Sequence, residues 1–346
     1  MSQMLEEIRQ QPEALERTLR RESRRIEEFK LALAKRRPRF IVLVARGTSD
    51  NAARFGRYLL EIATGIPVSL AAPSVVSLYG VKVDCRETLV VALSQSGEST
   101  DTNLVLERAR EWGALTLGIT NERRSTLARL AERTFLVHAG REKSVAATKT
   151  YTGQMLMFYL LAYALGGAVR LADLERLPQA VEAALRLEPE IEALSERYRY
   201  MRHAVVVGRG LNYANAFELS LKLMETCYVV TERFSSADLM HGPIAMVETG
   251  FPVFAFAPPD VTWPSVGGAL EKLKSLHAEI VAITDSGNRD VEALATRVIR
   301  LPRRLKPWLA PIPYIVPAQI FAACLAAQKG LNPDHPRTLR KVTLTL

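Results

Sequence analysis

Continuous apolar runs alternate along this chain with longer stretches of helical periodicity. Ile41-Val42-Leu43-Val44-Ala45, Leu89-Val90-Val91-Ala92-Leu93 and Leu117-Gly118-Ile119-Thr120 lie in the first half. Ala204-Val205-Val206-Val207, Phe254-Ala255-Phe256-Ala257 and Val281-Ala282-Ile283-Thr284 lie in the second. Runs that are apolar at nearly every position, instead of every second one, predict strands buried on both faces. Such strands belong to parallel sheets covered by helices. Residues 17–39, 103–112 and 177–199 mix charged and apolar positions and predict helices, the last opened by Pro178 near its first turn.

The two halves repeat. Ile41-Val42-Leu43-Val44-Ala45-Arg46-Gly47 and Ala204-Val205-Val206-Val207-Gly208-Arg209-Gly210 align at a constant offset of 163 residues, with Arg46-Gly47 falling on Arg209-Gly210. Leu117-Gly118-Ile119-Thr120-Asn121 loosely echoes Val281-Ala282-Ile283-Thr284-Asp285. A duplicated α/β domain is the expectation. Its predicted parts are a helical arm over 1–38, a first domain over 39–176 and a linker helix over 177–199. A second domain over 200–330 and a tail over 331–346 follow.

One loop breaks the symmetry. The strand ending at Leu93 runs into Ser94-Gln95-Ser96-Gly97-Glu98-Ser99-Thr100-Asp101-Thr102, just before the predicted helix. Unpaired N–H groups at a helix N-terminus receive an anion. Gly97 allows close backbone approach, and Ser94, Ser96, Ser99 and Thr102 each offer an O–H donor. The corresponding stretch of the second half, Phe254-Ala255-Phe256-Ala257-Pro258-Pro259-Asp260, has no hydroxyl cluster and two prolines without N–H donors. One site for a small phosphate ester is expected, in the first half. The loop contains neither a Walker lysine nor G-x-G-x-x-G, which argues against a nucleoside triphosphate or a dinucleotide. A serine-rich helix cap without a ligand is the plain alternative.

Composition narrows the class. With 346 residues, 48% of them hydrophobic, the chain has enough apolar material for two ordinary domains. The net charge of +9 suits an anionic ligand, and much of that excess lies in 17–39. This arm reads as a solvated amphipathic helix. Apart from Phe29 it has no aromatics to interleave for nucleic-acid stacking, and Glu22, Glu27 and Glu28 interrupt its basic face. Cys85, Cys227 and Cys324 are odd in number and widely spaced, so neither a disulfide framework nor a metal site is expected. No apolar run of membrane-spanning length and no signal-peptide pattern is read from the sequence, so no membrane partner is expected and the predicted setting is a reducing cytoplasm.

Taken together, Arg46-Gly47-Thr48-Ser49, the 94–99 loop, Ser144-Val145-Ala146-Ala147-Thr148-Lys149 and residues 218–243 resemble the sugar isomerase (SIS) family, over roughly residues 40–346. The resemblance implies two tandem flavodoxin-like domains, each a doubly wound parallel sheet, and a phosphosugar ligand. Within the family the chain is similar to the isomerase part of glutamine–fructose-6-phosphate aminotransferases. It is more similar to SIS-type glucosamine-6-phosphate deaminases, through Ala147 and the tail Gly330-Leu331-Asn332-Pro333-Asp334-His335-Pro336-Arg337. The chain begins Met1-Ser2 and residues 1–38 do not hold a glutaminase domain with its terminal cysteine, so glutamine hydrolysis is not expected.

The implied activity is conversion of glucosamine 6-phosphate to fructose 6-phosphate and ammonia, without metal or organic cofactor. Turnover of another amino-sugar or fructosamine phosphate, ammonia-dependent synthesis, and a phosphosugar-sensing regulator are the alternatives. By resemblance, Glu225 moves the proton between C2 and C1, His241 opens the ring, and Lys341 faces the sugar carbonyl as an ammonium or as a Schiff-base amine. Lys222 maps onto another site lysine that orients either Glu225 or the substrate hydroxyls. Ser94, Gln95, Ser96, Gly97, Ser99 and Thr102 hold the phosphate. Gly47, Thr48, Ser49, Val145, Ala146 and Ala147 line the sugar. In relatives the histidine comes from the neighbouring subunit, which implies a homodimer. Each assignment has a plainer counterpart: a surface Glu–Lys pair, a loop histidine, a solvated tail lysine, or capping hydroxyls.

Overall fold

The structure is a computed structural model that describes residues 2–339 and 341. It divides into two units, each built on its own five-stranded sheet. One contains Gln10–Glu142, Ala147–Pro178 and Arg340–Leu346; the other contains Met1–Arg9, Lys143–Ala146 and Gln179–Leu339.

The first sheet comprises β1 (Phe40–Val44), β2 (Val68–Leu70), β3 (Thr88–Ser94), β4 (Leu115–Thr120) and β5 (Arg133–Leu136), in the order β2-β1-β3-β4-β5. All pairings are parallel, with Val42 opposite Val90 and Val91 opposite Leu117. All seven residues of β3 are buried, as an unbroken apolar run in the middle of a covered sheet requires. The chain leaves β1 toward β2 on one side and reaches β3 on the other. The strand order therefore reverses between β1 and β3, opening a crevice at their carboxyl ends.

The second sheet comprises β6 (His203–Gly208), β7 (Val230–Ser235), β8 (Pro252–Phe256), β9 (Glu279–Asp285) and β10 (Arg297–Leu301), in the order β10-β9-β8-β6-β7. Read from its other edge, this is the order of the first sheet. The repeat extends to dihedral angles. Gly47 and Gly210 both adopt left-handed φ, 55° and 57°, where the chain turns out of β1 and β6. Arg46 and Arg209 before them are both extended.

Two helices are apolar all round because protein covers them on every side. Lys149–Ala164 packs against Gln11–Lys35 and Gly47–Thr64 in the first-sheet unit. Pro311–Gln328 packs against Gln3–Arg9, Glu188–Glu196 and Tyr213–Cys227 in the other. The latter corrects the expectation that no segment is long and apolar enough to cross a membrane: it passes on length and hydropathy, yet 89% of it is buried within the protein.

The arm also differs from expectation. Helix Gln11–Lys35 is not free in solvent, because Leu15, Leu19, Ile26, Phe29 and Leu33 form a buried stripe. Its spacing of three and four residues places these side chains on one face, leaving the arginines outward. The predicted helix over 177–199 is two helices, Leu177–Leu185 and Glu188–Glu196. Pro189 has no N–H to donate to Leu185 C=O, so the first helix stops at Leu185 and a second begins with Pro189 in its first turn. The three cysteines are free and buried.

A Cβ at Gly56 would collide with the Phe158 ring, so Gly47–Thr64 and Lys149–Ala164 touch through a glycine. Gly56→Ala should therefore lower unfolding stability by about 1–3 kcal/mol, the usual cost of overpacking. Urea midpoints measure it. A wild-type midpoint would mean that Phe158 can move aside without cost.

Candidate active site

In the first-sheet unit, Gly47-Thr48-Ser49 follow β1 and the serine loop follows β3, so adjacent strand ends bring the two segments to one edge. The loop is tightly self-bonded. Gly97 N–H donates to Ser94 Oγ (3.0 Å), Glu98 N–H to Ser96 Oγ (3.2 Å), and Asn103 Nδ2 to Gly97 C=O (3.1 Å). Gly97 adopts φ 68°, and a Cβ there would collide with the Ser125 side chain. Glycine is therefore needed both for its φ and for its small volume. Glu98 turns away from the loop and binds Thr126 through its N–H (2.9 Å) and hydroxyl (2.7 Å).

The capping alternative does not describe Ser99. It precedes helix Thr100–Glu111 but makes no capping hydrogen bond, and its hydroxyl instead lies 3.0 Å from that of Thr102. Ser94 and Thr102 are buried, while Gln95, Ser96 and Ser99 are half-buried. Asp101 would oppose an anion in this first turn, but Arg46 binds its carboxylate through Nε (3.2 Å) and a terminal nitrogen. Ser49 is buried and accepts a hydrogen bond from Gln154 Nε2 (2.9 Å), while Thr48 is half-buried.

The same unit holds Lys341, whose Nζ lies 3.1 Å from Glu142 Oε2. Glu142 is buried and also receives the N–H groups of Thr148 (2.9 Å) and Thr150 (3.2 Å) and the Thr150 hydroxyl (2.7 Å). Burial pushes its pKa up, but the Lys341 ammonium and these three donors outweigh it and hold the carboxyl below the ordinary glutamate value. Ala147 belongs to this unit and Val145 and Ala146 to the other. Arg340 and residues 342–346 of the predicted tail lie outside the described residues.

In the second-sheet unit, helix Tyr213–Cys227 carries Glu218, Lys222 and Glu225. Lys222 is fully buried, with Nζ 2.7 Å from Glu225 Oε2 and 3.4 Å from Glu218 Oε1. Burial disfavours its charge, yet the two carboxylates more than compensate and hold the ammonium above the usual lysine range. Glu218 is buried as well, and the Glu225 side chain is 24% exposed. This is not a solvated surface pair. His241 caps the short helix Ser236–Met240 and is exposed, its N–H donating to Asp238 C=O (3.1 Å). Gly242 after it has φ 134°, which favours glycine.

The crevice of the second sheet is occupied differently. Asp260, beyond β8, accepts the N–H (2.8 Å) and hydroxyl (2.6 Å) of Thr262, where helix Trp263–Ser275 begins. A carboxylate stands there in place of the hydroxyl cluster of the first sheet. Sequence reasoning missed Glu142, Gln154 and the Arg46–Asp101 pair. Glu142 sits in Arg141-Glu142-Lys143, which reads as a solvated charge run. The other partners are far apart in sequence.

Such sheets define a tandem α/β protein of the flavodoxin-like type. The chain belongs to the SIS domain family, whose model matches residues 33–164 and 198–329. It is 34% identical over 98% of its length to a glutamine–fructose-6-phosphate aminotransferase (isomerizing) of Pyrococcus horikoshii, and it spans 57% of that relative's length. The solved C-terminal domain of the Francisella tularensis glucosamine-fructose-6-phosphate aminotransferase superposes with a TM-score of 0.85 at 27% identity, covering 97% of this chain and 98% of that one. Glucosamine-6-phosphate deaminase of Thermotoga maritima superposes at 0.75 with 23% identity, over 99% of this chain and all of that one, a likeness of fold.

Because the Glu142 carboxyl titrates lower when folded, its stabilisation is complete above the unfolded value, roughly pH 4.3. That contribution is lost as pH falls through the folded value. The stability difference between wild type and Glu142→Gln should thus be widest near neutrality and narrow below about pH 4. Urea titrations across this range check it, and a difference independent of pH would show that the charge contributes nothing.

Proposed function

We propose that this chain interconverts an amino-aldose phosphate and a ketose phosphate, taking glucosamine 6-phosphate and water to fructose 6-phosphate and ammonia. The observation that carries the reading is the buried Glu218–Lys222–Glu225 array, in which Glu225 is the member that reaches solvent. An array of this kind fixes one carboxylate in a single orientation, as proton transfer between neighbouring carbons demands.

In this reading, the phosphate is held by Ser94, Gln95, Ser96, Gly97, Ser99 and Thr102, and the sugar by Gly47, Thr48, Ser49, Val145, Ala146 and Ala147. His241 takes the anomeric O–H proton and returns one to the ring oxygen, opening the ring to the C1 aldehyde. Glu225 removes the C2 proton. The C2–H electron pair becomes the C1–C2 double bond, and the carbonyl pair moves to O1, where the Lys341 ammonium stabilises the charge. Glu225 then delivers the proton to C1 as the nitrogen lone pair forms the C2–N double bond, and a proton passes from that nitrogen to O1, leaving an imine at C2 and a hydroxyl at C1. Water adds to C2, ammonia departs, and the ketose phosphate remains. The exposure of His241 suits a histidine that serves the neighbouring subunit of a homodimer. Three free thiols suit a reducing cytoplasm.

A second reading runs the same chemistry backward, with fructose 6-phosphate accepting ammonia. Its support is the 34% identity to the aminotransferase, of which this chain spans 57%. Incubating the protein with a panel of amino-sugar phosphates, and separately with ketose phosphates and ammonium, while measuring ammonia and ketose phosphate, tests both. Binding without turnover in either direction would turn the assignment toward a phosphosugar-sensing regulator.

Two variants probe the two ends of the substrate. Replacing Ser94, Ser96 and Ser99 together by alanine removes hydrogen bonds to a charged group worth about 1.5–3 kcal/mol each. KM should rise more than about tenfold with the fold intact by circular dichroism. Unchanged KM would remove the loop from phosphate binding. Glu225→Gln should lower kcat by roughly 10²–10⁴ while phosphosugar affinity changes little. Wild-type enzyme should transfer part of a C2 deuterium label to C1. Near-normal turnover of the variant would take Glu225 out of the mechanism.

A further inference from the structure

Glu142 has the geometry of a residue built to hold a cation in place. Its Oε1 accepts the N–H groups of Thr148 and Thr150, and its Oε2 accepts the Thr150 hydroxyl and faces Lys341 Nζ at 3.1 Å. Thr148 is the cap of helix Lys149–Ala164 and Thr150 lies in its first turn. The N–H groups that anchor Glu142 are therefore those that a helix N-terminus leaves open. A carboxylate anchored this way is fixed in position and ionised, and it presents one oxygen to the lysine. Lys341 is sequentially remote, 199 residues away, and its side chain is only one-quarter exposed. A lysine of this length has many rotamers in solution, and a fixed partner selects among them.

We propose that Glu142 is the positioning residue for Lys341, holding its ammonium at the head of helix Lys149–Ala164 so that the charge stands ready for the oxygen that becomes negative during isomerisation. The inference rests on the reading of Lys341 as the site lysine. Glu142 does not touch the substrate; it acts through the lysine. In the free protein the carboxylate keeps the ammonium from wandering. During turnover the ammonium turns an N–H toward O1 without leaving Glu142, since it has three donors. This preorganisation lowers the reorganisation that the step would otherwise require.

The test combines a chemical readout independent of activity with steady-state kinetics on the full chain. Lys341 is labelled with acetic anhydride and quantified by mass spectrometry in wild type, Glu142→Gln and Glu142→Asp. Gly56→Ala serves as a variant destabilised elsewhere. In Glu142→Gln the labelling rate of Lys341 should rise severalfold relative to the other lysines. Its kcat for glucosamine 6-phosphate should fall about tenfold to a hundredfold with KM within about threefold. Glu142→Asp, which keeps the charge but withdraws it by one methylene, should recover part of the kcat. Gly56→Ala should leave both the labelling and kcat as in wild type.

If Glu142→Gln does not fold, Glu142→Asp carries the same two measurements. A folded Glu142→Gln with wild-type labelling and kcat would overturn the proposal. So would an equal loss of kcat in Gly56→Ala, because general destabilisation would then account for the effect. If wild type turns over no phosphosugar, the proposed function falls, and labelling alone decides whether Glu142 holds Lys341.

Discussion

A charge removed from water has to be answered where it sits, and this requirement shapes both units of the protein. Lys222 has no solvent exposure and stands between Glu218 and Glu225. Glu142 is enclosed and gathers an ammonium, two backbone N–H groups and a hydroxyl. Glu22, on the inner face of the arm, is buried against Arg25 (3.0 Å) and His138 Nε2 (2.7 Å). Removing one partner from a buried pair leaves the other uncompensated, at a cost of about 3–5 kcal/mol. These groups are consequently held in single geometries, and chemistry that depends on direction can use them.

Duplication supplied two similar frames, and divergence used them differently. Both sheets follow the same strand order, and both turn out of their first strand through an Arg-Gly pair with left-handed glycine. Beyond that turn the partners differ. Arg46 binds Asp101 in the first turn after the serine loop, whereas Arg209 lies 3.4 Å from Ser235 Oγ. In the first sheet the crevice carries hydroxyls and open helix N–H groups. In the second, Asp260 fills the corresponding helix start with its own carboxylate. The carboxylate of Asp260 would oppose an anion at the second helix start, and hydroxyls stand in its place in the first, a contrast that supports the proposed phosphate loop in the first half.

Much of this was legible in the linear sequence. Apolar runs without alternation specify strands covered on both faces, because an exposed face would require polar residues at every second position. The constant offset between halves specified the repeat, and Gly97 among hydroxyls marked the loop where backbone must approach closely. Local features of this kind depend on neighbours in the chain, so the sequence carries them directly. The arm is only partly encoded in its local pattern. Its sequence reads as a solvated amphipathic helix, which leaves open what its apolar face meets. The stripe through Leu15, Ile26 and Phe29 is buried because helix Lys149–Ala164 and β5, where Phe135 meets the Phe29 ring, provide a surface for it.

Helix Pro311–Gln328 makes the same point in reverse: its composition fits a lipid or a protein interior, and the packing around it selects the interior. The sequence by itself determined the strands, their repetition, the position of the hydroxyl loop and the residues with capacity for proton transfer. It did so because periodicity, turn chemistry and residue type act over a few positions. Tertiary structure alone decided that Lys222 is enclosed, that Ser99 leaves the cap unfilled, and that Glu142, in an unremarkable charged tripeptide, receives Lys341 from 199 residues away. The physical reason is that burial and long-range pairing depend on what the rest of the chain brings alongside, and no local pattern encodes that.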